Sequence, residues 1–135
     1  TLNRDGARTP MPWLGDAPNL GFTSGDPWLP AGEGHRSLAV DRQDDDPNSM
    51  LAFTRRCLQL RSSMPALRLG SMKVVESNDQ LLRFEREHDG QRLLCTFNLS
   101  DRPAPFASSG PAVVTAGEFP AGAIDPFSAI IEDVS

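Results

Sequence analysis

The sequence predicts an α+β fold in which a loop-rich segment and one amphipathic helix precede a set of short antiparallel strands. Three observations predict it: turn-forming residues crowd residues 1–45, apolar residues recur at helical spacing after Asp46 and Pro47, and alternating patterns replace them after Gly70. The 135 residues suffice for one ordinary domain or two small units. A linker at residues 65–70 is expected to separate the helix from the sheet.

The first segment is rich in loops, and its most informative stretch is residues 4–13, which read RDGARTPMPW. Each proline fixes its own φ and disfavours helix at the preceding residue, so a stiff extended loop is expected. Such a loop can hold the guanidinium groups of Arg4 and Arg8 still enough to donate to a carboxylate or to sugar hydroxyls. The alternative is an exposed or ion-paired structural role. Trp13 and Trp28 are interpreted as loop anchors rather than sugar platforms.

The helix is expected to run from Pro47 to about residue 61 or 62. Asp46 can cap its free amides, and proline suits a first helical position because the missing N–H donor is not needed there. The three consecutive aspartates at residues 44–46 lack the alternating spacing and the glycine of a calcium loop, so a solvated helix start is the better interpretation.

Short strand-like runs follow, separated by turn signals. An Asp-Gly pair at residues 89–90 lies between two alternating segments, which is a good hairpin signal. Several short strands joined by turns predict an antiparallel sheet or a small sandwich. The expected strands are residues 72–75, 81–87, 92–98, 112–116, 118–119 and 128–132.

Composition excludes several classes of partner. The formal net charge of −5 argues against nucleic acid or an anionic membrane surface, whereas a neutral partner such as a sugar is compatible with it. The apolar runs are too short for a membrane span. Cys57 and Cys95 lie in apolar patterns, which indicates two buried thiols in a reducing, cytoplasmic compartment. No zinc spacing appears, and we expect neither a metal nor a cofactor.

Residues 4–13 resemble the RDxxRTPMxW signature of glycoside hydrolase family 13, in the branch of α-glucosidases, oligo-1,6-glucosidases and trehalose synthases. Further motifs follow in the order found in that family, over nearly the whole chain. They are Gly21-Phe22, Pro27-Trp28-Leu29-Pro30, Gln43, Asp46-Pro47-Asn48-Ser49, Leu60-Arg61, Asn98-Leu99-Ser100 and Asp125-Pro126-Phe127-Ser128.

The resemblance implies a (β/α)8 barrel followed by an antiparallel β-sandwich, called domain C. Residues 1–69 would supply the last βα loop and the last helix of the barrel, and residues 70–135 would form domain C. The chain would thus be the end of a longer protein. The βα loops of such barrels carry the active site, so the loop would face the substrate. The resemblance assigns to Arg4 the binding of the terminal glucose in the −1 subsite, and it places Arg8 near the +1 side.

The resemblance assigns no catalytic residue to this chain, because the aspartate nucleophile and the glutamate acid/base of the family lie in upstream motifs. The expected function is therefore that of the C-terminal part of a retaining α-glucosidase, inactive on its own. Its expected partners are a disaccharide or oligosaccharide substrate and the missing N-terminal barrel of the same protein. Two alternatives stay open: a stand-alone carbohydrate-binding module, and part of a trehalose synthase or another isomerising or transglycosylating relative.

Overall fold

The computed structural model describes residues 5–135, which divide into two compact units with a boundary between Arg56 and Cys57. Short 3-10 turns lie at Asp5–Ala7 and Pro18–Gly21. The α-helices are α1 (Val40–Asp44), α2 (Met50–Ser63) and α3 (Pro65–Leu69), and the strands are β1 (Ser71–Ser77), β2 (Leu81–His88), β3 (Gln91–Asn98), β4 (Ala104–Pro105), β5 (Ala112–Ala116), β6 (Ala123–Ile124) and β7 (Ala129–Asp133).

Helix α2 is the predicted helix, but its capping residue differs from the prediction. The side-chain oxygen of Asp46 accepts from the N–H of Asn48 at 2.9 Å and closes a turn before the helix. Ser49 is the cap: its buried hydroxyl accepts from the N–H of Ala52 at 3.1 Å and donates to the carbonyl of Gln43 at 2.7 Å. The helix therefore begins three residues after Pro47, because a serine three residues before a free amide satisfies that donor.

The predicted linker at residues 65–70 is mostly helical. Pro65 occupies the first turn of α3, which ends at Leu69 before Gly70. Ala66 is fully buried, and its N–H donates to the side chain of Gln91 at 3.0 Å. A side chain at Gly70 would collide with the carbonyl oxygens of Ala66 and Glu87, so this close approach of helix and strand needs glycine.

The larger sheet is antiparallel throughout, in the order β1-β2-β3-β7-β5. Strands β2 and β3 form the predicted hairpin. Its two-residue loop has φ values of +48° at Asp89 and +84° at Gly90, and His88 pairs with Gln91. Positive φ at both loop residues matches the twist of the flanking strands. The prediction of short antiparallel strands is confirmed.

A second sheet of two very short strands, β4 and β6, packs against the larger one. Leu81, Ala104 and Ile124 are buried together and form the core of this contact, with the rings of Phe106 and Phe119 against them. The predicted strand at residues 118–119 is wrong, since this segment is irregular between Gly117, at a φ of +89°, and Pro120. The apolar residue of this segment, Phe119, packs against the core without forming a strand.

Asn98 ties the end of β3 to both neighbouring segments. Its side-chain amide is buried and donates to the carbonyls of Arg102 and Ile124 at 2.7 and 3.1 Å, while its oxygen accepts from the N–H of Ser100 at 3.0 Å. A buried amide that meets several backbone groups fixes the path of the chain after the strand.

The two cysteines have different environments. Both thiols are free; Cys95 is buried, as predicted, whereas Cys57 is partly exposed. Burial raises the pKa of the Cys95 thiol to about 11, and the nearby charge of Arg86 offsets part of that rise. None of the helices between residues 5 and 135 has the length and apolar character needed to cross a membrane.

Candidate substrate-binding loop

The signature arginines are the residues from which the sequence predicts a site, and the structure describes one of them. Arg4 lies outside the described residues. Arg8 is exposed, and its backbone N–H donates to the carbonyl of Asp5 at 3.0 Å, which closes the 3-10 turn at Asp5–Ala7. The expected extended loop thus starts with a tight turn, which leaves the Arg8 side chain on the surface.

Backbone hydrogen bonds fix the course of the chain after Pro10. The backbone amides of Trp13 and Leu14 both donate to the carbonyl of Leu20, at 2.9 and 3.0 Å. Leu20 is buried and holds an unusual positive φ of +55°, which turns its carbonyl toward the two amides. A non-glycine residue in this conformation is strained, so the surrounding contacts must stabilise it.

The two tryptophans differ in exposure. The side chain of Trp13 is half-exposed, and its backbone is bound on both edges. Trp28 is 81% exposed, so the expectation that it anchors its own loop is wrong within this chain.

Three side chains bind the turn at Gly15 and Asp16. They are those of Asp41, Arg36 and Arg42, and we call this arrangement the turn clamp. The N–H of Gly15 donates to both carboxylate oxygens of Asp41, at 3.0 and 3.1 Å. A guanidinium nitrogen of Arg36 donates to the carbonyl of Gly15, and Arg42 pairs with the Asp16 carboxylate at 2.8 Å. The clamp therefore satisfies both backbone groups of Gly15 and the side chain of Asp16.

The contacts of the turn clamp differ in strength. Asp16 is almost fully exposed, so its ion pair with Arg42 is screened by water and contributes little. Gly15 is buried, and its bond to the charged carboxylate of Asp41 is partly shielded from solvent. Charge-assisted bonds of this kind are about twice as strong as neutral ones. The bonds of Asp41 and Arg36 to the backbone of Gly15 are therefore the main contacts of the clamp.

Helix α1, which carries Asp41, also binds residues 4–13 through its backbone, and we call these residues the signature loop. The N–H of Val40 donates to the carbonyl of Pro12 at 2.9 Å, and the N–H of Asp41 donates to the carbonyl of Trp13 at 3.1 Å. Amides of a first helical turn have no partner within their own helix. In this chain the end of the signature supplies those partners.

Gln43 joins α1 to α2. Its side-chain oxygen accepts from the N–H of Leu51 at 3.1 Å, its side-chain nitrogen donates to the carbonyl of Leu38 at 2.7 Å, and its own carbonyl accepts from Ser49. The signature loop, α1 and the start of α2 are thus connected by successive hydrogen bonds within residues up to Arg56.

The aspartate run at residues 44–46 has structural partners. Asp44 pairs with Arg55, and Asp46 closes the turn before Ser49. In the part of the chain from residue 5 onward, no three His, Cys, Asp or Glu side chains come together in an arrangement able to hold a metal ion. His35 has a local role, because its Nδ1 accepts from the N–H of Gly32 at 3.2 Å.

An open cleft of about 480 Å³ lies within the unit that begins at Cys57. Its floor is the apolar face of the sheet, where the rings of Phe84 and Phe97 stack at 5.8 Å. Arg61 and Arg86 border the cleft, but each donates to a carbonyl of α3, at 2.8 and 3.1 Å. None of the described residues that line this cleft lies within the signature at residues 4–13.

The family of the chain follows from comparison with known proteins. A family model described as "Alpha amylase, catalytic domain" matches residues 1–70, which is slightly more than half of the chain. The chain belongs to the alpha-amylase family. The resemblance of residues 4–13 and of the motifs after them to glycoside hydrolase family 13 is thereby confirmed.

Curated members of the alpha-amylase family align with about three quarters of the chain. It is 45% identical over 101 residues to a "Probable alpha-glucosidase" of Rhizobium meliloti, which covers 75% of this chain and 18% of that protein. It is 32% identical over 104 residues to an "Oligo-1,6-glucosidase" of Parageobacillus thermoglucosidasius, covering 76% and 18% respectively. The chain spans about a fifth of the length of these relatives.

Solved structures of the family share the fold. The trehalulose synthase MutB of Pseudomonas mesoacidophila MX-45 superposes with a TM-score of 0.80 and 29% identity, over 96% of this chain and 26% of that one. The likeness therefore includes the sheet as well as the part that the family model matches.

Proposed function

We propose that this chain is the C-terminal part of a retaining α-glucosidase that acts on short α-linked glucosides. The 45% identity to a protein named probable alpha-glucosidase, of which the chain spans only 18%, carries the proposal. In it, residues 1–69 are the last loop and helix of a catalytic barrel, and residues 70–135 are domain C. The end of the family match at residue 70, next to the start of β1 at Ser71, supports this division.

In this proposal the chain binds substrate but does not cleave it. A retaining glycosidase needs two carboxylates about 5–5.5 Å apart, one as nucleophile and one as acid/base. These belong to the barrel outside this chain, as they do in enzymes that resemble it. The isolated 135-residue chain is therefore expected to hydrolyse no chromogenic α-glucoside, and robust turnover by it would contradict the proposal.

Arg4 is the proposed ligand of the terminal glucose. A guanidinium group presents five donors in a planar fork, which suits simultaneous bonds to a carboxylate and to sugar hydroxyls. Arg8, whose side chain is exposed, is the proposed contact on the +1 side. Neither arginine takes up or releases a proton in the reaction, so both act through binding and orientation.

The test is Arg4→Ala in the full polypeptide that the reading frame encodes, assayed on p-nitrophenyl α-glucoside. We expect kcat/KM to fall at least about 100-fold, since a misplaced substrate loses rate as well as affinity. Arg8→Ala should lower it less. Arg102→Ala is the matched control, because that side chain is exposed and its one ion pair among residues 5–135 is with the equally exposed Asp101. Equal activity of Arg4→Ala and Arg102→Ala would overturn the role of Arg4.

Isomerisation is the second candidate function. The structural likeness to a trehalulose synthase over 96% of the chain favours it, as does 36% identity over 115 residues to the "Trehalose synthase/amylase TreS" of Mycobacterium tuberculosis. Product analysis of the full polypeptide separates the two functions. A hydrolase releases glucose from maltose, whereas an isomerase yields a rearranged disaccharide from maltose or sucrose.

A further inference from the structure

The structure assigns a positioning role to Asp41: through the turn clamp, its carboxylate fixes the substrate-binding loop proposed above. This inference rests on the proposed function, since it concerns the loop that carries Arg4 and Arg8. Asp41 lies 28 residues beyond Trp13 in sequence, and it acts on the loop through Gly15 rather than through substrate.

The first step of the argument is the number of bonds that converge on one short segment. Pro12, Trp13 and Gly15 all bind α1: two carbonyls accept from its first amides, and the N–H of Gly15 donates to the Asp41 carboxylate. A segment of four residues held by three bonds to one helix moves with that helix. Any shift of α1 is therefore transmitted to the end of the signature.

The second step concerns the Asp41 carboxylate. Of the bonds between α1 and residues 12–15, its bond to Gly15 is the one that a side-chain substitution can remove. The two backbone bonds from α1 involve no side chain, so a substitution can only weaken them indirectly, by releasing the segment that they hold, whereas Asp41→Ala removes the carboxylate bond outright. Gly15 is also closely surrounded: a Cβ there would lie 3.1 Å from the carbonyl oxygen of Arg36. The turn has little room to adopt another path while Asp41 holds it.

The third step concerns consequences for the proposed site. The segment from Arg8 to Trp13 contains two prolines, which transmit a displacement stiffly because their φ angles are fixed. A displacement of about 1 Å at a substrate-binding group can cost up to 100-fold in rate. Asp41 thus influences substrate binding without touching substrate.

The test compares Asp41→Ala, Asp41→Asn and Asp45→Ala in the full polypeptide encoded by the reading frame. Asp45 is the matched control: it is exposed, it follows α1 directly, and its carboxylate has no partner among residues 5–135. We expect kcat/KM on p-nitrophenyl α-glucoside at 25 °C to fall about tenfold in Asp41→Ala. The fall should be smaller in Asp41→Asn, which keeps one acceptor oxygen, and Asp45→Ala should match the unmodified protein.

Amide hydrogen exchange supplies a readout that does not depend on activity. Asp41→Ala should accelerate exchange at Gly15, which loses its acceptor, and at Val40, whose bond to Pro12 depends on the clamp. A lower thermal midpoint with unchanged kcat/KM at 25 °C would overturn the inference, because Asp41 would then be merely structural. Unchanged exchange at Val40 would overturn it as well. An unmodified protein that turns over no α-glucoside would overturn the proposed function, and exchange would still decide whether the clamp fixes the loop.

Discussion

The Cys95 thiol shows how the position of one residue in a sheet controls its chemistry. It lies on the central strand β3, between Phe84 of β2 and Ile131 of β7, and is almost inaccessible. The thiolate is the reactive form of cysteine, and an apolar environment disfavours it. The neighbouring Arg86 favours the thiolate but does not outweigh burial, so the pKa stands near 11.

We predict that a thiol reagent at pH 8 labels Cys57 rapidly in the folded chain and leaves Cys95 unmodified. With a pKa of about 11, only about 0.1% of Cys95 is thiolate at that pH, and burial also blocks the reagent. Cys57→Ser should therefore remove the fast phase of absorbance with Ellman's reagent. Unfolding this variant in guanidinium should then release one equivalent of reactive thiol, that of Cys95. Equal labelling rates for the two thiols would contradict the prediction.

The raised pKa of Cys95 also predicts that the folded state loses stability at alkaline pH. The folded thiol keeps its proton up to about pH 11, whereas the unfolded thiol loses it near pH 9. The contribution of Cys95 to stability is therefore complete below pH 9 and falls as the pH rises from about 9 to 11. In Cys95→Ala, the free energy of unfolding should depend less on pH over this interval.

At the scale of elements, helix α2 depends on a hydroxyl cap. Ser49 both caps the helix and donates to Gln43, so a single side chain joins the start of α2 to α1. Asp46 carries a charge near the same helix, yet its side chain bonds to an amide that precedes α2. Ser49 should therefore contribute more than Asp46 to the stability of α2.

We predict that Ser49→Ala lowers the free energy of unfolding by about 1–2 kcal/mol, since it removes the cap and leaves a carbonyl with one partner fewer. Ser62→Ala is the matched control: it removes a hydroxyl that is exposed and bonds only within the last turn of α2. Asp46→Ala should cost less than Ser49→Ala in urea denaturation. If Asp46→Ala lost more free energy of unfolding than Ser49→Ala, Asp46 and not Ser49 would be the cap of α2.

How far the sequence predicts these elements depends on where their signals lie. The hairpin at Asp89 and Gly90 and strand β5 have local causes, namely turn chemistry and alternation, and both agree with the structure. Strands β4 and β6 have two residues each, and they exist because Asn98 and the core around Ile124 hold them. Such distant partners leave no periodic signal in sequence.

The candidate site divides in the same way. The proline-rich signature points to the arginines, because stiffness and guanidinium groups are visible in the residues themselves. The turn clamp was not predictable, because Asp41 and its partner Gly15 are 26 residues apart and an isolated aspartate carries no motif. Gln43 belongs to the ordered motif series, but only the structure shows its hydrogen bonds to Leu38, Ser49 and Leu51.

At the scale of the whole molecule, the apolar side chains of α2 differ in exposure. The partly buried ones are Leu51, Ala52, Phe53, Cys57 and Leu60. Met50 and Leu58 are 71% and 62% exposed. Large apolar side chains exposed on a helix often mark a surface that another part of a protein covers. In the proposed full enzyme that covering part is the remainder of the barrel.

We predict that Leu58→Gln hardly changes the stability of the isolated chain but destabilises the full polypeptide. In the isolated chain it should change the free energy of unfolding by no more than about 0.5 kcal/mol and reduce binding of the dye ANS, since the side chain is largely exposed. In the full polypeptide it should destabilise by about 1.5–3 kcal/mol, the effect of losing a buried leucine. Gln59→Ala, at the neighbouring exposed position, is the control and should be nearly neutral in both. If Leu58→Gln were equally harmless in the full polypeptide, this side of α2 would face solvent there, and the assignment of α2 as a barrel helix would be wrong.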